Sequence, residues 1–214
     1  MKKSITILVG SLLISSFSAF SQDAKAILDQ LSQKANSYSS MKADFEYQML
    51  NTKDDIDDTQ KGSIITQGEK YHLNIAGQEI ISDGKTMWTV INEAAEVQIN
   101  NVPEESEMDD EYISPTKILT LWEKGFKYKY DQSTTLNGAA HHIINLYPQN
   151  PDGKSYHTIK LFIDKSKLEM SKIIIKGKDG TDFIYTIKNF TTNKSIPAST
   201  FSFNNPDFDV IDLR

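Results

Sequence analysis

The chain has 214 residues, with 23 Lys+Arg against 29 Asp+Glu, 38% hydrophobic residues and no cysteine. That length suits one domain able to bury a core without a disulfide or a metal. The absence of cysteine excludes a disulfide scaffold, a thiolate zinc site, a cysteine nucleophile and a lipid-anchored N-terminal Cys, and the acidic balance argues against a nucleic-acid partner.

Residues 1–21 read as a secretory signal peptide. Lys2 and Lys3 form a basic start, Ile5 to Ile14 a short apolar stretch, and Ala19-Phe20-Ser21 a small-residue cleavage site. The apolar stretch falls short of the roughly 20 residues that a spanning helix needs. Residues 22–214 are then expected to form a single exported domain. With Lys2 and Lys3 removed it has 193 residues and a net charge of −8.

The periodicity predicts a helix over 23–38, with Ile27, Leu28, Leu31, Ala35 and Tyr38 on one face and Asp23 as its N-cap. From Ala43 the period becomes two: Phe45, Tyr47 and Met49 alternate with polar residues, as in a half-buried strand. The run Thr52–Gln60 reads as a polar loop, followed by strands at 62–66, 70–76 (Tyr71, Leu73, Ile75), 79–82, 86–92 and 96–100, separated by short turns. Residues 103–111 carry Glu104, Glu105, Glu107, Asp109, Asp110 and Glu111 without the spacing of a calcium loop, and read as solvated charge. Ser114-Pro115 has the form of an N-cap and first helical position, predicting a second helix with Ile118, Leu119 and Trp122 on its apolar face and Gly125 at its end. Period-two strands resume at 126–130, 141–147, 157–164, 172–177 and 182–190.

The sum is about eleven strands and two helices, an α+β but mostly β architecture: an unclosed antiparallel β-barrel with helices over its open side. A sheet that wide leaves an interior that something must fill. Its residues would be Phe45, Tyr47, Met49, Leu73, Ile75, Ile81, Met87, Trp88, Val90 and Trp122. They make either a packed core or a ligand cavity. No nucleophile elbow, zinc-binding helix, phosphate loop or dinucleotide fingerprint is present. His141 and His142 are neighbours on a strand and point to opposite faces, so they cannot share a metal. No enzymatic activity, cofactor or metal is expected.

The stretch Ile81-Ser82-Asp83-Gly84-Lys85-Thr86-Met87-Trp88 resembles a signature of the periplasmic outer-membrane lipoprotein carrier family, LolA. The opening helix and first strand, Ser114-Pro115 with Ile118-Leu119, Leu146-Tyr147-Pro148, and Phe201-Ser202-Phe203 with Pro206 and Asp209-Val210-Ile211-Asp212 are similar to that family's segments in the same order. The resemblance implies an unclosed β-barrel under an α-helical lid, and a soluble periplasmic carrier that takes acylated lipoproteins from an ATP-driven inner-membrane releasing complex to an outer-membrane receptor. It implies acyl-chain binding by the interior residues above together with Ile118 and Leu119 of the lid, in a protein acting as a monomer, with Trp122 on the lid and Trp88 on the sheet behind it. A carrier or sensor of another acylated lipid is the alternative. The sequence departs from the family in one turn, where Gln67-Gly68 stands in place of Arg-Pro and Tyr71-His72-Leu73 follows in place of Phe-x-Trp.

Overall fold

A computed structural model of the chain describes residues 17–103 and 115–214. Most of the expected leader, the acidic run Glu104–Glu111 and Ser114 lie outside the described residues. Among those described there is one α-helix, α1 (Phe17–Asn36). It begins ahead of Asp23, which lies inside the helix and not at its cap. Ala24, Leu28 and Leu31 fall on one stripe and are buried, as the three-to-four spacing requires. The helix stops where Ser37 Oγ donates to the Lys34 carbonyl at 2.7 Å. Lys34 suits the negative end of the helix dipole and reaches the Glu169 carboxylate at 3.0 Å.

Twelve strands follow in one sheet. They are β1 (Met41–Asn51), β2 (Ile56–Gln67), β3 (Lys70–Ile75), β4 (Gln78–Ser82), β5 (Thr86–Ile91), β6 (Glu96–Asn101), β7 (Phe126–Leu136), β8 (Ala139–Pro148), β9 (Tyr156–Asp164), β10 (Glu169–Gly177), β11 (Asp182–Thr192) and β12 (Asp209–Asp212). The spatial order is β12-β6-β5-β4-β3-β2-β1-β11-β10-β9-β8-β7. Two antiparallel meanders, β1–β6 and β7–β11, are thus joined by the pairing of β1 with β11. The edges β12 and β7 are not paired with each other, so the sheet is unclosed. Tight turns hold the meanders. At Asn137-Gly138 both residues have positive φ (50° and 80°), the geometry of a two-residue hairpin whose twist matches its strands. Gly62 is needed for close approach: a Cβ there would run into the Phe45 ring and lie 2.8 Å from the Asn74 carbonyl oxygen.

Three features differ from the sequence reading. The polar loop expected through Gln60 is strand from Ile56 onward, because its residues pair with Tyr47–Asn51 of β1, and cross-strand pairing outweighs their low β-propensity. A twelfth strand, β12, runs parallel to β6 with Val210 beside Val97. The helix expected from Ser114-Pro115 is instead two short 3-10 turns, Pro115–Lys117 and Leu121–Glu123. With Thr120 between them in a non-helical conformation (φ −134°, ψ 13°), no continuous i to i−4 ladder forms.

The sheet has two apolar faces. On the helix face, Ala24, Leu28 and Leu31 pack with Ile144, Leu146, Ile159, Leu161 and Ile173 of β8–β10. On the far face, Ile81, Val90 and Val97 are covered by Phe203 and Phe208 of the segment leading to β12. Phe201, in the same segment, is 1% exposed.

Candidate functional site

Strand register sorts the predicted site residues. Facing pairs in an antiparallel ladder share a side, and Phe45 faces Gly62, Ala43 faces Ile64, Leu73 faces Ile64, and Tyr71 faces Thr66. Phe45, Tyr47, Met49, Leu73 and Ile75 therefore lie on the helix face. Met87 joins them: it pairs with Ser82, which pairs with Tyr71, and the Tyr71 hydroxyl donates to Met87 Sδ at 3.3 Å.

Ile81, Trp88 and Val90 lie on the opposite face. Trp88 pairs with Ile81 and Ile99, and Val90 with Val97, in the cluster closed by Phe203 and Phe208. They form a packed core and do not join the other site residues. One residue of offset in a strand exchanges the faces, and hydrophobicity alone does not separate Met87 from Trp88.

Over β7–β10 the helix face is sealed by α1. Over β1–β3 and β11 it is covered only in part. Met41, Ala43, Phe45 and Ile64 are buried there, while Tyr47, Leu73, Ile75, Tyr185 and Ile187 remain partly open. Ile64, Tyr185 and Ile187 belong to this floor and are not singled out by the sequence; Tyr71, read there only as part of a strand alternation, joins them. Their period-two pattern is legible, but that β11 lies beside β1 is a long-range pairing with no local signal.

The two 3-10 turns form the cover. The first packs on β2 and β3, the second on β7. Trp122 is buried (4% exposed), and its indole Nε1–H donates to Ser32 Oγ of α1 at 2.9 Å. It is an anchor in the core under the helix and not a lining residue. Ile118 also packs against that core. Leu119 touches both the α1 core and the open floor, as do Tyr185 and Ile187. Leu119 is thus the part of the cover that closes on the floor residues.

Beside this cover lies a cleft of about 900 Å³, bordered by Met41, Tyr71, Leu119 and Phe126 and about equally by polar residues such as Lys117 and Glu123, a volume in the range of ligand sites. Gly68 and Glu69 of the β2–β3 turn also line it. This is the turn where Gln67-Gly68 departs from the resembled Arg-Pro, and Gly68 has the positive φ (59°) that the turn requires. The signature turn Ser82-Asp83-Gly84-Lys85 is structural. Asp83 Oδ1 accepts from the Lys85 and Thr86 amides at 2.9 and 2.8 Å. Burial opposes ionisation of that carboxyl, yet those amides and the cations Lys70 and Lys85 hold it below the usual carboxylate range. The histidines stand apart: His141 bonds Ser171 Oγ and the Ala139 carbonyl, each at 2.9 Å, while His142 meets the Tyr130 hydroxyl at 3.2 Å.

An open, mostly antiparallel sheet with a helix on one face, and an apolar floor half-closed by a short cover, defines the class of unclosed β-barrels. More particularly, the family model described as Outer membrane lipoprotein carrier protein LolA matches residues 36–204, and the chain belongs to that family. Comparison with curated proteins gives no match. Among solved structures, an uncharacterized conserved protein from Thermus thermophilus superposes with TM-score 0.60 at 9% identity, over 89% of this chain and 99% of that one. LprF from Mycobacterium bovis gives 0.51 at 16% identity, over 83% and 97%. MucB gives 0.50 at 14% identity, over 89% and 66%. At such identities the likeness is one of fold.

Proposed function

We propose that this protein is a soluble periplasmic carrier that binds the acyl chains of lipoproteins on the half-covered apolar floor and moves them from the inner to the outer membrane. The observation that carries this reading is the apolar floor of Phe45, Tyr47, Leu73, Ile75 and Ile187, left partly open under a cover that is two 3-10 turns and not a helix. A packed protein core of this size seldom leaves such a floor incompletely covered. Each CH₂ removed from water is worth roughly 0.8 kcal/mol, so a lipid with several long chains does not leave a membrane unaided. It needs an apolar compartment that travels. Among the described residues no helix is long and apolar enough to cross a membrane.

In this reading the protein acts as a monomer and performs no turnover. An ATP-driven inner-membrane complex loads it, and an outer-membrane receptor unloads it. The acidic charge keeps it off anionic lipid surfaces and favours basic patches on its partners. The test is to purify the protein without detergent, extract it with organic solvent and identify the released species by mass spectrometry. Acylated peptide or diacyl lipid at near-stoichiometric yield supports the reading. An empty extract, together with no uptake of a fluorescent acyl probe, refutes it.

A further inference from the structure

The seam between β1 and β11 carries a pair of tyrosines on the open floor. Tyr47 faces Tyr185 across the ladder, with ring centroids 5.1 Å apart. Tyr185 also packs against Phe45 at 6.1 Å, and Tyr47 stacks on Phe183 at 6.5 Å. A phenol in an apolar surface ordinarily finds a hydrogen-bond partner. Two other tyrosines of this face do: Tyr71 bonds Met87 Sδ, and Tyr130 meets Ser133 Oγ at 2.9 Å. Among the described residues, neither the Tyr47 nor the Tyr185 hydroxyl makes a hydrogen bond, and neither is sealed away from open space. Two O–H donors therefore stand ready on an otherwise apolar floor.

Their position along the floor is informative. On one side lie Phe45, Ile187 and the Leu119 cover. On the other, Tyr47 faces Gln60 and Met49 faces Asp58, and Gln60 Nε2 donates to Asp58 Oδ2 at 2.8 Å. The tyrosines thus lie where the floor first meets polar side chains of β2, with Met49 and Phe183 the last apolar row beyond them. In an acylated amphiphile, such a meeting of apolar and polar is where the ester groups sit. Burial, then the neighbouring Tyr47, push the Tyr185 phenol up to about 12, so it remains a neutral donor throughout the physiological range. A neutral donor is matched by a neutral acceptor, as an ester carbonyl is.

We propose that the Tyr185 and Tyr47 hydroxyls donate hydrogen bonds to ester carbonyl oxygens at the head of the bound acyl chains, making this pair the ester-recognition element of the floor. The inference rests on the acyl-carrier reading and goes beyond it: the site distinguishes ester-linked chains from hydrocarbon of equal length. The test uses the full chain and two probes of equal chain length, dipalmitoylglycerol (two esters) and di-O-hexadecylglycerol (two ethers), delivered from cyclodextrin. The wild type is expected to bind the diester more tightly. The double variant Tyr47→Phe/Tyr185→Phe keeps both rings and their packing, and is expected to lose roughly five- to tenfold in diester affinity with no change for the diether. Equal wild-type affinity for the two probes, or an equal loss for both in the variant, overturns the proposal while leaving the carrier reading intact. Binding of neither probe by the wild type overturns both.

Discussion

The anchoring of the cover at Trp122 makes a quantitative prediction. The Trp122 indole is buried and bonded to Ser32 Oγ at 2.9 Å, and Ser32 is itself buried, at 8% exposure. Replacing Trp122 by Phe deletes that bond and leaves part of the indole volume empty. A net hydrogen bond is worth about 1 kcal/mol, and removing part of a buried ring costs a further 1–2 kcal/mol or so, less than the roughly 3–5 of full truncation to Ala. The expected loss is about 2–3 kcal/mol, a fall in Tm of roughly 5–10 °C for a domain of this size. A double-mutant cycle separates the two terms. Ser32→Ala alone and with Trp122→Phe should show a coupling of about 1 kcal/mol by urea denaturation, since the pair interacts through a single bond. Uptake of a fluorescent acyl probe should become faster in Trp122→Phe, because the turns would be held to α1 by packing alone. A coupling of zero, or unchanged stability, would refute the assignment of Trp122 as the anchor.

Leu119→Asp places a carboxylate where the cover meets the floor and should cut acyl-probe affinity at least tenfold by fluorescence titration. Its far-UV circular dichroism should stay unchanged, since Leu119 is only half-buried. The same change at Trp122 should unfold the protein. Trp88→Phe should leave acyl-probe affinity within twofold of wild type, because Trp88 belongs to the far-face core, and Phe201→Ala should cost about 3–5 kcal/mol of stability, because Phe201 is fully buried; a large loss of affinity in folded Trp88→Phe would contradict the division into faces. Asp164 caps the β9–β10 turn: the Lys167 amide first, against the opposing effect of burial, and then the Ser166 hydroxyl and amide hold its carboxyl below the usual range. A carboxyl lowered on folding contributes stability above its unfolded value of about 3.9 and loses it as pH falls through the folded value. Denaturation curves of wild type and Asp164→Asn should therefore differ at pH 7 and converge on the acid side of that value.

The meanders are legible because each hairpin carries its own local chemistry: alternation along the strand and a Gly or Asn where the turn needs positive φ. What is not legible is non-local. The β1–β11 pairing joins residues about 140 apart in the chain, and it brings Tyr185 and Ile187 to the same floor as Phe45. β12 is four residues long and parallel to its neighbour, so no turn announces it. The stretch from Ser114 to Gly125 has helical composition, with the residue types of a cap and a start in place. Trp122 is drawn into the α1 core while Leu119 also reaches the floor cluster, and the chain leaves helical geometry at Thr120 between them. Tertiary packing overrides propensity there. The division of Trp88 from Met87 has the same origin, because two-sided burial removes the alternation that marks a face.

That the cover is short bears on how a carrier could release its cargo. A long helix docked by many apolar residues would add their burial to the cost of opening, at about 1.5–3 kcal/mol for each fully buried side chain. Here the apolar contact with the open floor comes through half-buried Leu119, beside the small first turn that rests on β2 and β3, while Ile118 and Trp122 stay with the α1 core. Lifting Leu119 alone costs on the order of 1–2 kcal/mol, an amount that thermal motion supplies often and that a partner protein can offset by a few contacts. The anchored end keeps the cover in place between such events. Retention of the ligand then depends on the chains and on the Tyr47–Tyr185 pair more than on the cover. A receiving site with a larger apolar surface can take the cargo without an energy source of its own, since transfer between two apolar compartments exposes little hydrocarbon to water.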